Sequence, residues 1–200
     1  MADKKVIITI SREFGSGGHS IAMEVAKRLN IPYYDKELIK QVALKTGLDS
    51  HFIEQMGEYS TTSIFDFFNS YGAHNDLMNG MNVNDFLWVM QRQVILDLAK
   101  QGSCVIIGRC ADYILRDDPD AYHFFIRADE AFKAERIVRL YGESDKPIEE
   151  RIKEKDGKRA ANYKHFTGRK WGMCEDYDMS FNTAKLGVDK VVELIIEAIK

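Results

Sequence analysis

Cysteine is scarce in this 200-residue chain: Cys104, Cys110 and Cys174 are its only three, and none stands in a Cys-x-x-Cys pair. So few thiols at such spacing argue against a zinc site or a disulfide framework and suit free thiols in a reducing cytosol. Long apolar runs are missing as well. The run Val6–Ile10 is too short for the hydrophobic region of a signal peptide and no cleavage site follows it, and no stretch approaches a membrane span. A surplus of positive charge is also absent, since 28 Lys and Arg against 31 Asp and Glu give a net charge of −3. No whole-molecule field then draws in nucleic acid or an acidic membrane, so any anion site must be local. The expectation is a cytoplasmic protein with small anionic partners and neither nucleic acid nor membrane among them. Proline occurs three times, in an otherwise ordinary globular composition of 45% hydrophobic and 30% charged residues. That length and composition fit one domain with a full core.

What is present is an alternation of strand and helix periods. Val6–Ile10 is a β-branched run that reads as a buried strand. Ser20–Leu29 carries apolar residues at Ile21, Val25 and Leu29, a helical period closed by Asn30. Pro32-Tyr33-Tyr34 reads as a short strand ending at Asp35, and Glu37–Thr46 as a helix stopped by Gly47. Gly57–Asn84 has weak periodicity, and reads either as a mobile, partner-dependent segment with short helices or as an ordinary irregular surface excursion. Asp85–Gln101 is an amphipathic helix. Ser103–Ile107 and Ala121–Ile126 read as strands, with a short helical piece at Ala111–Leu115 between them. Glu130–Tyr141, the polar stretch Lys146–Tyr163 and Val188–Ile199 read as helices, and Tyr177–Asn182 alternates like a strand. Such alternation is the signature of an α/β sheet, mostly parallel, with helices on both faces. Ligands of such sheets bind at the carboxyl ends of the strands. The candidate residues fall there: Arg12–Ser20, Asp35, Gly108-Arg109, Arg127 and Asn182-Thr183.

The segment Ser11-Arg12-Glu13-Phe14-Gly15-Ser16-Gly17-Gly18-His19-Ser20 joins the first strand to the first helix. Glycines there let backbone N–H groups approach an anion, and the helix start adds unpaired donors and a positive dipole end. Gly15, Ser16, Gly17, Gly18, His19 and Ser20 are thus candidate phosphate ligands, with Ser20 suited to capping the helix, to a phosphate or to Mg²⁺. A flexible turn with an N-cap serine is the plainer alternative. The pair Gly18-His19 stands where the usual phosphate loop has its lysine, so positive charge must come from elsewhere. Arg12 and His19 are the nearest sources. On the polar helix, Arg151, Lys155 and Arg159 recur every fourth residue and share a face, while Glu154 and Lys158 have ion-pair spacing. That pattern fits a solvated salt-bridged helix, or a cationic lid over transferring phosphates. Arg109 ends a strand where it can meet a substrate phosphate. Arg136 and Arg139 share one helix, facing the same cleft or water. Asp35 is suited to Mg²⁺ through water, to a substrate hydroxyl or to capping the next helix. His51, His74, His123 and His165 have no ligand spacing and read as structural.

Three stretches together resemble the bacterial cytidylate kinase-like family: Ile8–Gly18, Tyr33–Ile39 and Val105–Ala111, with Tyr177–Gly187 also fitting. The resemblance spans nearly the whole chain. It implies a three-layer P-loop nucleoside monophosphate kinase fold around a five-stranded parallel sheet, with ATP and Mg²⁺ as donor and cofactor and CMP or dCMP as acceptor. Its implied parts are a core of residues 1–47, 85–145 and 166–200, a substrate-binding insertion at about 48–84 and a lid at about 146–165. Arg109 matches the arginine that contacts the monophosphate in cytidylate kinases, with Cys110 in place of the aspartate that follows it there. Asp156 and Arg159 resemble the lid's Arg-Asp…Arg pattern, with Lys155 for the first arginine. The expected roles follow. Arg12, His19, Lys155 and Arg159 serve transfer. The glycine loop with Asn182 and Thr183 holds the nucleotide. Asp35, Arg109, Arg136 and Asp156 hold the acceptor, and Ser20 and Asp35 approach the metal. A protein without turnover that only binds nucleotide, and a kinase for a non-nucleotide acceptor, are the rival readings. The sequence allows a monomer or a homodimer.

Overall fold

The computed structural model describes residues 5–35 and 83–200. The expected helix at 37–46 and the insertion at about 48–84, apart from the start of the helix described next, lie outside the described residues. In chain order the elements are β1 (Ile7–Arg12), α1 (Gly18–Leu29), β2 (Tyr33–Tyr34), α2 (Val83–Gln101), β3 (Cys104–Ile107), α3 (Ala111–Ile114) and β4 (Ala121–Arg127). They continue with α4 (Glu130–Tyr141), α5 (Ile148–Thr167), a 3₁₀ turn at Cys174–Asp176, β5 (Met179–Asn182), α6 (Thr183–Leu186) and α7 (Val188–Ala198).

Among the described residues five strands form one parallel sheet, in the order β2-β3-β1-β4-β5. Strand alternation divides the core between two faces. Ile8 and Ile10 of β1 with Val105 and Ile107 of β3 pack on α1 and α7 around Ile21, Val25, Val191 and Ile195. Ile7, Cys104 and Ile106 point the other way, onto Val94, Ile95 and Leu98 of α2 and onto α3. The three-layer α/β reading is therefore the architecture. β1 runs further than the apolar run Val6–Ile10 predicts, because Ser11 and Arg12 pair with Phe125 and Ile126 of β4. β5 is shorter than Tyr177–Asn182 predicts, because Cys174–Asp176 forms a 3₁₀ turn whose carbonyl at Cys174 receives the Tyr177 N–H. The helix at Lys146–Tyr163 starts after Pro147 and reaches Thr167, where Gly168 closes it in a left-handed conformation.

Two histidines read as structural are described in full. Thr9 Oγ1 lies 2.8 Å from His123 Nδ1 across β1 and β4. Burial depresses the pKa of that ring. His165 stands edge-on to Phe166, which stacks on Trp88 at 4.5 Å. Among the described residues no helix is long and apolar enough to cross a membrane.

Candidate active site

The loop after β1 has the geometry of an anion cradle. Gly15 and Gly17 take φ of 80° and 89°, which side-chained residues rarely adopt. A Cβ at Gly15 would also meet Ile137 Cδ1 at 2.8 Å and the Lys133 carbonyl at 2.9 Å. Gly17 occupies the cap position of α1, and no side chain caps that end. The first N–H groups of α1 have no acceptor within the helix, so they and the helix dipole face whatever anion the loop receives.

The loop is supported from below. Ser16 is buried, and its Oγ donates to the Glu13 carbonyl at 2.8 Å. Thr183, also wholly buried, donates to the Ser16 carbonyl at 2.7 Å and lies 3.2 Å from that of Arg127. Asn182 accepts from the Ala184 N–H as the cap of α6 and donates to Asp129 at 3.0 Å. Sequence reasoning grouped Asn182 and Thr183 with the nucleotide ligands. The structure places Thr183 beneath the loop as a prop, because its hydroxyl is buried and committed to backbone carbonyls.

Arg12 crosses this loop. Its Cβ and Cγ fill the space a side chain at Gly18 would need, and its guanidinium fills the space above Gly108. Glycine at both positions is what lets the arginine span from the loop to the end of β3. His19 turns elsewhere: half exposed, its Nε2 lies 3.4 Å from Asp35 Oδ2 and its ring stands edge-on to Tyr33. Burial works against the charged form of Asp35. The His19 hydrogen bond and the charges of Arg12, His19 and Arg109 outweigh it and hold the carboxyl below its ordinary range. Tyr33 also donates to Asp35, at 3.3 Å.

Gly108, Arg109 and Cys110 have φ of 66°, 56° and 53°, three left-handed residues in succession. For two side-chained residues this is a strained turn of the kind that collects at functional sites. Gln91 Nε2 holds it by donating to the Arg109 carbonyl at 3.2 Å. Arg12, Arg109 and Arg159 line one pocket with Ser11, Tyr163 and Trp171. Arg159 Nη1 donates to the Arg12 carbonyl at 3.2 Å and sits 3.4 Å from Asp156. Asp156 in turn accepts the Phe14 N–H at 2.7 Å, so α5 grips the loop it was expected to cover. Desolvation raises the pKa of Asp156 against the pull of that N–H and its cationic neighbours.

The remaining predicted residues disperse. Lys155 Nζ lies 5.4 Å from the Phe14 ring centroid, and Phe14 stacks on Tyr141. Arg136 Nη2 donates to Ser20 Oγ at 2.8 Å and its Nε lies near Gly17, so this arginine stands at the glycine loop. Arg151 leaves the cationic face expected of it and donates to the Gly142 carbonyl, closing the end of α4. Glu154 and Lys158 pair at 2.7 Å as their spacing predicts.

Glu13 and Lys133 were missed. They pair at 3.1 Å under the loop, with the buried Lys133 also 3.8 Å from Asp156. The available signal was a lysine one turn before Ile137 on the apolar stripe of α4, where a charge needs a partner. Among the described residues no cluster of histidine, cysteine and carboxylate side chains is arranged to hold a metal. Ser20 Oγ faces the Arg136 cation and Asp35 is occupied by His19 and Tyr33, so these two do not fit a directly coordinated Mg²⁺.

Against known proteins, the model of the cytidylate kinase-like family matches residues 7–185. A cytidylate kinase of Pyrobaculum islandicum is 25% identical over 195 residues, spanning 97% of this chain and 92% of its own. An uncharacterized protein from Eubacterium ventriosum superposes with a TM-score of 0.73 at 29% identity, covering 98% of each chain. The shikimate kinase of Bacteroides thetaiotaomicron, at 13% identity, a TM-score of 0.56 and coverage of 97% and 98%, shares the fold.

Proposed function

The chain belongs to the cytidylate kinase-like family, and from that premise we propose that it moves the γ-phosphoryl group of ATP to a nucleoside monophosphate, CMP or dCMP foremost. The observation that carries the reading is Arg12. It reaches from the glycine loop to a pocket that already holds Arg109 and Arg159. Its stem packs on Gly18 of the loop and its guanidinium stands at Gly108, so the cation lies in the arginine pocket beside the loop, where it can neutralise charge on a transferring group. The transition state spreads charge over the equatorial oxygens, so catalysis is positioning and neutralisation.

In this reading the first turn of α1 binds the β- and γ-phosphates, beside Ser20 and Arg136. Arg109 and Arg159 hold the acceptor phosphate. One of its oxygens attacks the γ-phosphorus, and the bond to the bridging β-oxygen breaks to release ADP. No protein nucleophile takes part. Arg12 stands in for the lysine of the usual loop, and α5, with Lys155, serves as the lid. No step is assigned to a directly coordinated Mg²⁺, since Ser20 Oγ faces the Arg136 cation and Asp35 pairs with His19 and Tyr33.

The test is a panel: purified protein, ATP with Mg²⁺ in the buffer, and each nucleoside monophosphate in turn. A diphosphate product with CMP or dCMP is expected, and no diphosphate with any acceptor would remove the proposal. The absence of a lysine at Gly18-His19 favours one rival, a nucleotide-binding protein without turnover. Calorimetric ATP binding alongside a silent panel would select it.

A further inference from the structure

Ser11 and Tyr163, which line the three-arginine pocket, meet on a buried carboxylate outside its lining to which the proposed transfer gives no role. Asp112, 3% exposed, opens the first turn of α3. Its Oδ2 accepts the Tyr163 hydroxyl at 2.7 Å, and its Oδ1 accepts that of Ser11 at 3.3 Å. Ser11 belongs to β1, Asp112 to α3 and Tyr163 to α5. Each is close in sequence to one arginine of the pocket. Ser11 precedes Arg12, Asp112 follows Arg109 by three residues, and Tyr163 follows Arg159 by one helical turn.

We infer that Asp112 is a positioning residue which, through Ser11 and Tyr163, locks α5 in the register that brings Arg159 to Arg12 and Arg109. The inference rests on the reading of that pocket as the acceptor site. A buried carboxylate that joins three elements acts on all three at once, since each hydrogen bond to a charged group is worth more than one between neutral groups. The other groups facing Asp112 are Tyr177 and Asp176, from the segment before β5, and the Cys110 thiol. None of them is a cation that would replace the node. Burial pushes Asp112 up to about 6. It is therefore anionic at neutral pH at a cost to the fold, a cost that packing alone does not call for.

The test uses Asp112→Asn and Tyr163→Phe, the second of which removes a single oxygen and leaves the ring in place. Acceptor KM, ATP KM and kcat are measured for each. Inorganic sulfate binding is followed by calorimetry as a probe independent of turnover, with Arg109→Gln marking the pocket. Both variants should raise acceptor KM and weaken sulfate binding roughly tenfold, with ATP KM within about twofold of wild type. Unchanged acceptor KM and sulfate affinity in both variants would overturn the inference, as would an equal rise in both KM values, which marks general loosening. Sulfate that fails to bind wild type, or binds Arg109→Gln as well as wild type, would overturn it too. If wild type binds sulfate in the pocket but phosphorylates no nucleoside monophosphate, the proposed function fails while the sulfate comparison still decides the role of Asp112.

Discussion

Arg12 and His19 both follow from the missing lysine as sources of charge, and at the scale of single residues the structure separates them. Arg12 lies folded over Gly18 with its guanidinium at Gly108, while His19 is half exposed and turned to Asp35. Arg12→Met keeps most of the stem and removes the fork. It should lower kcat on the order of 10²–10³-fold, the loss typical of a removed transition-state donor, with little change in thermal midpoint. His19→Ala should change kcat by no more than about threefold, because an exposed side chain paired to one carboxylate contributes little. A steady-state comparison of the two variants checks the assignment, and the opposite ranking would transfer the role to His19.

Elements, more than ligating side chains, make the glycine loop rigid. Its underside is closed by α6 through Thr183, by α4 through the Lys133–Glu13 pair and by α5 through the Asp156 contact to the Phe14 N–H. Thr183→Val keeps the shape and deletes the donor, leaving the Ser16 carbonyl without that partner in a buried place. The expected cost is about 1–3 kcal/mol in urea unfolding. Because the loop loses its prop, ATP affinity in calorimetry should fall with it. A variant as stable as wild type would show that Thr183 does not support the loop. At this same scale α5 is more than a cover. Its second half is anchored by Asp156, Arg159 and the buried Asn162 and Tyr163, and its first two turns are tied down as well, by the buried Ile152 and by Arg151 on the Gly142 carbonyl.

Across the whole molecule, the buried anion at Asp112 links fold stability to pH. In the native state it keeps its proton up to about 6, while in the unfolded chain it titrates near 3.8. Between those values the native state binds more protons than the unfolded one, so this group's contribution to stability falls as pH rises through the window. Asparagine at that position does not titrate. Relative to wild type, Asp112→Asn should therefore gain stability between about pH 4 and pH 7, by on the order of 1–3 kcal/mol. Urea unfolding of both proteins at the two ends of that range checks the sign, and a pH-independent difference would contradict it.

The same contrast of scales governs what was legible in the sequence. Strand and helix periods are local, so Val6–Ile10, Ser20–Leu29 and Val188–Ile199 announce the α/β alternation, and with it the strand ends where ligands gather. Glycines at 15, 17 and 18 mark a loop that admits an anion, because backbone freedom is a property of the residue itself. Partners distant in the chain left no such trace. The grip of Asp156 on Phe14, the prop of Thr183 under Ser16, the passage of Arg12 over Gly18 and Gly108, and the joining of Ser11, Asp112 and Tyr163 all depend on which helix packs on which strand. The sequence by itself determined the fold class and the place of the glycine loop, since both rest on periodicity and local backbone preference. Only the tertiary structure decided where the arginines stand, the Arg12 guanidinium at Gly108 and Arg136 at Gly17 and Ser20, because space at one glycine is left or filled by a side chain from another part of the fold.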